Sequence, residues 1–363
     1  MLVTAIEARP LRSLTDVRVE MEAGILTLIG PNGAGKTNLL EALYFALTGR
    51  SFRTGDRRDL IPFGAQFARA EAAVRNADGI ERRLLASVSR SDGRRHLLDG
   101  NQAEAATLAQ QRPPIAVFAP DRLPLVKGPP AERRAHLDSY VTARWPSRGE
   151  LRKRYGQALA QRNALLARLG DGGSAGELEA WDQALADAAA PLVATRSEAV
   201  EELGGPFTEA AAELGLEGEA MLEYAPRASG SPAEIREGLA QRRGADLKMG
   251  RSTWGPHLDE LKITAGGKSL RRYGSQGQQR AGLLALLFAE REALLAAHRV
   301  APLLLLDDVM SELDPERRQR LVDRLAEGGQ TLITAADEES VPPFALESSI
   351  NLPLLTAPRA AAA

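Results

Sequence analysis

One stretch of the chain has residue types and spacing that suit phosphate chemistry, GPNGAGKT at Gly30 to Thr37. It fits the pattern G-x-x-x-x-G-K-[ST], in which backbone N–H groups surround phosphate oxygens, the lysine reaches the β- and γ-phosphates and the hydroxyl ligates Mg²⁺. The apolar run Ile25 to Ile29 predicts a buried strand before this phosphate loop, and Asn38 to Thr48 predicts a helix after it. A glycine-rich turn is the alternative, but the positive N-terminus of that helix favours nucleotide binding. The predicted nucleotide contacts are Gly30, Pro31, Asn32, Gly33, Ala34, Gly35, Lys36 and Thr37, with Lys36 also catalytic and Thr37 also a metal ligand.

A second stretch, PLLLLDD at Pro302 to Asp308, supplies the acids that a phosphate loop needs to hold Mg²⁺. Its four leucines predict a central strand with Asp307 at the carboxyl end, which is where open α/β sheets bind ligands. We expect Asp307 to hold Mg²⁺ and Asp308 to orient or polarise the attacking water. A helix cap or turn after a buried strand is the alternative for both acids. The predicted cofactors are therefore ATP and Mg²⁺.

Composition excludes several classes of protein. The 363 residues suffice for two or three domains, and 44% hydrophobic with 26% charged residues is usual for a soluble globular protein. The absence of cysteine excludes disulfides and thiolate metal sites. No apolar run reaches the length of a membrane span, and residues 1–13 lack the long apolar core and cleavage site of a signal peptide, so we expect a cytoplasmic protein without a membrane partner.

The distribution of charge is more informative than the net charge of −2. Residues Asp121 to Leu169 hold 11 Lys or Arg against 4 acids, and Arg50 to Gly100 hold 11 arginines against 7 acids, whereas Asp171 to Glu223 hold 13 acids against one arginine. A local basic region can bind the phosphodiester backbone even on a neutral protein, although solvated helix faces would give the same counts. The candidate DNA contacts are Arg133, Arg134, Arg152, Lys153 and Arg154.

Periodicity divides the chain into two kinds of structure. Short alternating runs such as Ala68 to Val74 and Arg82 to Ser89 predict antiparallel strands, and a strand returns at Leu258 to Thr264. Between them the 3.6-residue period predicts helices at Ala131–Trp145, Arg148–Leu169, Glu177–Glu202 and Pro206–Leu214. We expect an α/β fold with a phosphate-loop core and an antiparallel β subdomain at 1–119 and 245–363, into which a helical lobe is inserted at 120–244.

A third motif, YGSQGQQR at Tyr273 to Arg280, opens a predicted helix and by itself would be a polar turn. The order of phosphate loop, helical insertion, S-x-G-Q, acidic strand and the SELD of residues 311–314 resembles that of ABC-type ATPases. The resemblance implies that Ser275, Gly277 and Gln278 of one subunit press on the γ-phosphate held by the other. It also implies that residues 311–314 lie along the seam of that dimer.

A narrower resemblance, to the RecF family of DNA-repair proteins, extends over essentially the whole chain. The segments that resemble it are Gly30–Arg53, Leu125–Asp138, Trp254–Leu261, Gly274–Arg280 and Leu303–Asp314. The resemblance implies a DNA-binding ATPase of recombinational repair and replication-gap processing that dimerises around ATP on DNA. We expect the DNA to be a duplex or a single-strand/duplex junction, bound without sequence preference because the contacts are electrostatic. It also implies work with RecO and RecR to load RecA, and support of the SOS response.

Two absences predict weak, slow ATP hydrolysis. No histidine follows Thr334, where ABC ATPases often sense the γ-phosphate, and no glutamine stands in the usual loop near Phe118 to Asp121. A separate departure is Leu258, which stands where the family usually has an arginine, so any contact from that side chain is lost. Three other functions remain open on the residues: the ATPase subunit of a membrane transporter, a phosphate-loop kinase of a small metabolite, and a DNA-binding scaffold that holds ATP without hydrolysing it.

Overall fold

The structure, a computed structural model, describes residues 1–76, 78–91, 93–119, 122–169, 175–298, 301–326 and 328–351. The chain forms two compact units, the first from Met1–Leu123 with Leu294–Ala363 and the second from Pro124–Ala293. In chain order, the strands of the described residues are β1 (Leu2–Ala8), β2 (Val17–Glu20), β3 (Gly24–Ile29), β4 (Phe67–Arg75), β5 (Glu81–Ser89), β6 (Gly93–Leu98), β7 (Asn101–Gln102), β8 (Ile115–Phe118), β9 (Ala220–Ala225), β10 (Glu260–Ala265), β11 (Lys268–Ser269), β12 (Leu303–Leu306), β13 (Gln330–Ala335) and β14 (Ser349–Asn351). The helices are α1 (Lys36–Thr48), α2 (Ala105–Gln110), α3 (Pro124–Lys127), α4 (Pro130–Arg144), α5 (Glu150–Leu169), α6 (Glu179–Glu213), α7 (Pro232–Met249), α8 (Leu270–Tyr273), α9 (Gln276–His298), α10 (Pro315–Ala326) and α11 (Pro343–Leu346).

The first unit contains a parallel sheet with strand order β14-β3-β13-β12-β8. Its central strands are buried along nearly their whole length, which explains why they appear in the sequence as continuous apolar runs. The register pairs Ile29 with Ala335 and Leu306 with Ile333, so β3, β12 and β13 end at the same edge of the sheet. The phosphate loop follows β3, and Asp307 follows β12, at this edge.

A second sheet in the first unit is antiparallel, with strand order β2-β1-β4-β5-β6-β7. Helix α1 contacts β4 and β5 of this sheet as well as β13 of the parallel sheet. Leu28 of β3, Leu43 of α1 and Ala70 of β4 accordingly belong to a single hydrophobic core. The helix that begins at the phosphate loop is therefore fixed by packing on both sheets.

The second unit combines helices with a three-stranded antiparallel sheet of order β11-β10-β9. The prediction of two helices at Glu177–Glu202 and Pro206–Leu214 was wrong, because α6 runs unbroken through Pro191 and Pro206. A proline inside a helix costs about 3 kcal/mol through its missing N–H and its clash with the preceding turn. Here the burial of Leu192, Leu203 and Phe207, worth about 1.5–3 kcal/mol for each side chain, offsets that cost.

The boundaries of the units differ from the predicted division at 119/120 and 244/245. Residue 120 lies outside the described residues, and the first unit extends to Leu123. The larger difference concerns residues 245–293, which belong to the second unit. The reason is strand pairing, since β10 pairs with β9 of the predicted helical lobe and not with either sheet of the first unit. No helix in the described residues is long and apolar enough to cross a membrane.

A buried charge network fixes the helices of the second unit. The guanidinium of Arg162 on α5 is fully buried and donates to Asp182 of α6 at 2.7 Å and to Asp246 of α7 at 2.7 Å. Arg243 donates to the other oxygen of Asp182 at 2.6 Å. Because such charges are far from water, the network specifies one arrangement of the three helices.

Arg162→Met is expected to lower the free energy of unfolding by about 3–5 kcal/mol, because it leaves the carboxylates of Asp182 and Asp246 buried with fewer partners. Urea unfolding followed by circular dichroism measures this loss. Arg168→Met, on the exposed face of the same helix, serves as the control and should stay within about 0.5 kcal/mol of the unmodified protein. Equal unfolding midpoints for the two variants would contradict a structural role for the network.

Candidate nucleotide-binding site

The phosphate loop has the backbone of an anion cradle. Gly33 and Gly35 have φ angles of 85° and 95°, in the left-handed region that other residues rarely adopt. A side chain at Gly35 would also approach Leu14 Cδ2 to 3.0 Å. Helix α1 begins directly after Gly35 without a side-chain cap and without an acid in its first turn. Its first N–H groups and positive dipole therefore suit the binding of phosphate oxygens.

Lys36 is the positive charge of this cradle. Its side chain is buried, and Nζ donates to the carbonyl oxygens of Gly30 and, at 3.1 Å, Pro31. Burial lowers the pKa of Lys36, whereas the charges of Asp308 and Asp307 raise it. A buried ammonium whose hydrogen bonds go to neutral carbonyls is well suited to exchange those partners for phosphate oxygens.

Thr37 and Asp307, which are 270 residues apart in the chain, meet at this edge of the sheet. The Thr37 hydroxyl lies 2.9 Å from both carboxylate oxygens of Asp307, and the Thr334 hydroxyl donates to Oδ1 of the same carboxylate at 2.8 Å. Burial raises the pKa of Asp307, and the hydrogen bonds from Thr334 and Thr37 oppose that rise. Both groups are hard oxygen ligands of the kind that Mg²⁺ prefers. Among the described residues no cluster of three or more His, Asp or Glu could hold a metal. Mg²⁺ usually binds through one or two carboxylates together with phosphates and water, and the pair of Thr37 and Asp307 fits that mode.

Asp308 has an unusual backbone conformation. Its φ angle is 51°, in the left-handed region, which costs about 1–3 kcal/mol for a residue other than glycine. The strain is held by a hydrogen bond of 2.9 Å from the Asp308 N–H to Thr334 Oγ1. Thr334 therefore touches both acids, since its hydroxyl donates to Asp307 and accepts from Asp308.

Sequence reasoning missed two residues of this site, Thr334 and Arg53. Thr334 was noted only because no histidine follows it. Its position at the end of β13 could have indicated that it lies near Asp307, because the carboxyl ends of parallel strands meet at one edge of the sheet. Arg53 pairs with Glu41 at 3.5 Å and donates to Asn38 at 3.2 Å. A cleft of about 340 Å³ is lined by Asn32, Gly33, Gly35, Lys36, Thr37, Asn38, Arg53, Asp307, Asp308 and Thr334.

A larger cleft of about 750 Å³ lies elsewhere in the first unit, against β1, β2 and β14. Its lining includes none of the residues predicted to bind the nucleotide, ligate the metal or catalyse hydrolysis. The chemistry of the lining groups, and not the volume, therefore identifies the smaller cleft as the candidate site.

The predicted signature residues form a capped turn in the second unit. Ser275 Oγ accepts from the Gln278 N–H at 3.2 Å, and Gln278 Oε1 accepts from the Ser275 N–H at 2.9 Å. This reciprocal pair is a capping box at the start of α9. Ser275 is exposed and Gly277 is half-buried, while the buried Gln279 donates to Leu270 O and Gly274 O and so fixes the turn. The segment predicted to lie along the dimer seam, residues 311–314, includes Glu312, whose side chain lies outside the described residues.

The structure separates the five predicted DNA contacts. Arg133 is only 2% exposed, and its guanidinium is saturated by Glu260 and by the carbonyls of residues 125, 126 and 128, so the prediction that it contacts DNA was wrong. Arg134 is half-buried and donates to Asp259 O at 2.7 Å. Arg152, Lys153 and Arg154 are exposed on α5, where Arg152 lies 3.4 Å from Asp138 and Lys153 lies 3.2 Å from Glu150. These three remain candidates.

Comparison with known proteins identifies the family. The sequence profile described as "RecF/RecN/SMC N terminal domain" matches residues 2–345. "DNA replication and repair protein RecF" of Myxococcus xanthus is 36% identical over 364 residues, covering 97% of this chain and 95% of that protein. The chain belongs to the RecF family. A solved structure described as "Structure of the recombination mediator protein RecF-ATP in RecFOR pathway" is 28% identical with a TM-score of 0.83, covering 94% of this chain and 93% of the other.

A more distant likeness concerns the fold alone. The chain in "Crystal structure of the SmcHead bound to the C-winged helix domain of ScpA" is 18% identical with a TM-score of 0.56, covering 93% of this chain and 90% of the other. Together with the parallel sheet, these neighbours confirm the predicted α/β fold of an ABC-type ATPase head.

Asp307→Asn is expected to stabilise the nucleotide-free protein at neutral pH, because asparagine keeps an acceptor for Thr37 and Thr334 without a buried charge. Because the pKa of Asp307 is raised, its side chain favours folding when it is a neutral carboxylic acid. This contribution to stability is lost as the pH rises through the folded-state pKa. The gain should therefore appear at pH 7 and disappear at acidic pH. Thermal unfolding across that range tests this, with Asp323→Asn on an exposed site of α10 as the control. A gain that does not depend on pH would show that burial of the charge is not its cause.

Proposed function

We propose that this protein is a DNA-binding ATPase of recombinational repair and replication-gap processing, acting in the cytoplasm. Two copies close around ATP on DNA, and the closed pair helps RecO and RecR to load RecA and so supports the SOS response. Membership of the RecF family supports the pathway and the partners. The observation that supports nucleotide chemistry most directly is the meeting of Lys36, Thr37, Asp307 and Asp308 in one cleft.

The residues of the cleft have distinct roles in this proposal. The residues of the phosphate loop bind the phosphates of ATP through their N–H groups, and Lys36 transfers its hydrogen bonds from Gly30 and Pro31 to the β- and γ-phosphates. Thr37 and Asp307 hold Mg²⁺, which when bound neutralises charge on the phosphate oxygens. Asp308 orients the attacking water, and its strained backbone conformation fixes the direction of its carboxylate.

The second half of the nucleotide site comes from the other copy. Ser275, Gly277 and Gln278 of the partner subunit contact the γ-phosphate, because the start of α9 offers a hydroxyl and N–H groups to an anion. Hydrolysis is slow, well below the typical enzyme turnover of about ten per second, since no histidine follows Thr334 to sense the γ-phosphate. ATP then acts as a timed clasp on DNA, and a turnover of ten per second would contradict this.

The test is the solution mass with and without ATP and Mg²⁺, in the presence or absence of duplex DNA, for the unmodified protein, Lys36→Met and Ser275→Arg. We expect ATP-dependent dimers that both substitutions abolish and that DNA strengthens. Mixing the two variants should restore ATPase activity that neither shows alone, because a mixed pair has one complete composite site.

Other outcomes would favour the other functions. A protein that stays monomeric with saturating ATP and DNA would support a phosphate-loop kinase of a small metabolite. Co-purification with a membrane protein would support a transporter subunit. An Asp308→Asn variant whose behaviour is unchanged would support a scaffold that holds ATP without hydrolysing it.

Thr334→Val should lower the rate of ATP hydrolysis by about 10- to 100-fold, which corresponds to losing about 1–3 kcal/mol of hydrogen bonding to the two acids. ATP affinity should change much less, because the phosphate loop is intact. Thr334→Ser keeps the hydroxyl and should retain most of the activity. Equal rates in the valine and serine variants would exclude a positioning role for the hydroxyl.

A further inference from the structure

Of the basic stretch of residues 49–64, only Arg53 lines the nucleotide cleft. Other arginines of the first unit come from separate segments of the chain. Arg50 follows α1, Arg57 opens a single 3-10 turn, Arg94 lies on β6 and Arg112 follows α2. These four residues are called the arginine cluster below.

Strand register and one hydrogen bond place part of the cluster at the end of α1. Arg94 pairs with the buried Val88, so it lies on the face of the antiparallel sheet that α1 covers. His96, two residues further along the same face, has Nε2 at 3.0 Å from Ala46 O in the last turn of α1. Arg50 lies two residues after the end of that helix, so Arg50 and Arg94 lie at the same rim.

Within the part of the chain that the structure describes, the cluster lacks acidic partners, and the buried Nε of Arg57 has no hydrogen-bond acceptor. Among the described residues, Arg50, Arg57 and Arg94 form no ion pair. Burial and the positive charges of Arg94 and Arg50 lower the pKa of Arg57, and burial together with Arg50 lowers the pKa of Arg112.

The opposite face of the same sheet provides a contrast. There Arg69 and Arg83 lie 2.8 Å and 3.4 Å from Glu71, so their charges are neutralised within the protein. At the arginine cluster, like charges are held together and one donor is buried without an acceptor. Such an arrangement is unfavourable until an anion binds, so the cluster points to an anionic ligand.

We propose that the arginine cluster is a second DNA contact, which binds the phosphodiester backbone of duplex DNA. Guanidinium groups bind phosphate oxygens in a bidentate manner and carry no preference for base sequence. Arg50 and Arg94 are exposed while Arg57 and Arg112 are half-buried, so the cluster is an open surface that suits a polymer better than a small anion. This inference rests on the DNA binding proposed above, and it adds a contact on the ATPase unit to the candidates on α5.

The experiment compares the salt dependence of duplex DNA binding, in ATP and Mg²⁺, for the unmodified protein and for a variant with Arg50→Gln, Arg57→Gln and Arg94→Gln. Each lost phosphate contact should reduce the slope of log K against log salt by about 0.9. We therefore expect the slope to fall by about 2–3 and the affinity to fall at least tenfold at low salt. Arg69→Gln, on the opposite face, is the matched control and should leave the slope unchanged.

Three further measurements separate the outcomes. If the triple variant has a lowered unfolding temperature, the double variant of the exposed Arg50 and Arg94 replaces it, with an expected fall of about 2 in slope. An unchanged slope would overturn the proposal. Pyrophosphate could also raise the unfolding temperature of the Lys36→Met variant. If the three arginine substitutions remove this stabilisation while the salt slope of DNA binding stays unchanged, the cluster binds a small anion and not DNA. If the unmodified protein does not bind DNA at all, the proposed function itself fails. If the slope of log K against log salt falls only when Arg152, Lys153 and Arg154 are substituted, the proposal for the arginine cluster fails and the proposed function stands.

Discussion

The carboxylate of Asp307 is the group on which the architecture of the first unit converges. It accepts hydrogen bonds from Thr37 and Thr334, and these bonds join the ends of three strands: β12, β3 through the phosphate loop, and β13. The bonds form only if the parallel register brings those strand ends to one edge, so a slip of the sheet would separate the groups. Packing of α1 on both sheets serves the same geometry, because it fixes the helix whose first residues bind the phosphates.

Buried charges organise the second unit in a comparable way. Asp259, in the segment that resembles the RecF family, is fully buried and accepts from Arg196 at 2.9 Å and from the Arg227 N–H at 2.7 Å, as well as from Tyr224. Arg196 also donates to Asp138 at 2.8 Å and 3.0 Å. The acid thus links α4, α6 and the strand pair β9 and β10. Its place in a shared motif is explained by this linking role without any contact to a ligand.

The sequence predicted local features well and long-range partners poorly. The phosphate loop, β12 and α5 were predictable because glycine spacing, an apolar run and a helical period are properties of neighbouring residues. The burial of Arg133 was not, since its partner Glu260 lies 127 residues away and an isolated helical arginine is usually exposed. Pairing of β10 with β9 was missed for the same reason, and α6 was divided because its prolines were weighed without the burial that offsets them.

Both halves of the proposed composite site satisfy their polar groups internally. Lys36 donates to two carbonyls of its own loop, and Ser275 exchanges hydrogen bonds with Gln278. Each half is therefore ordered before a phosphate arrives, so binding replaces existing hydrogen bonds and does not have to order a flexible loop. Such exchange yields little net energy at each half alone. A nucleotide that satisfies two halves together gains more, which gives a physical reason for ATP to favour the paired state over the single subunit.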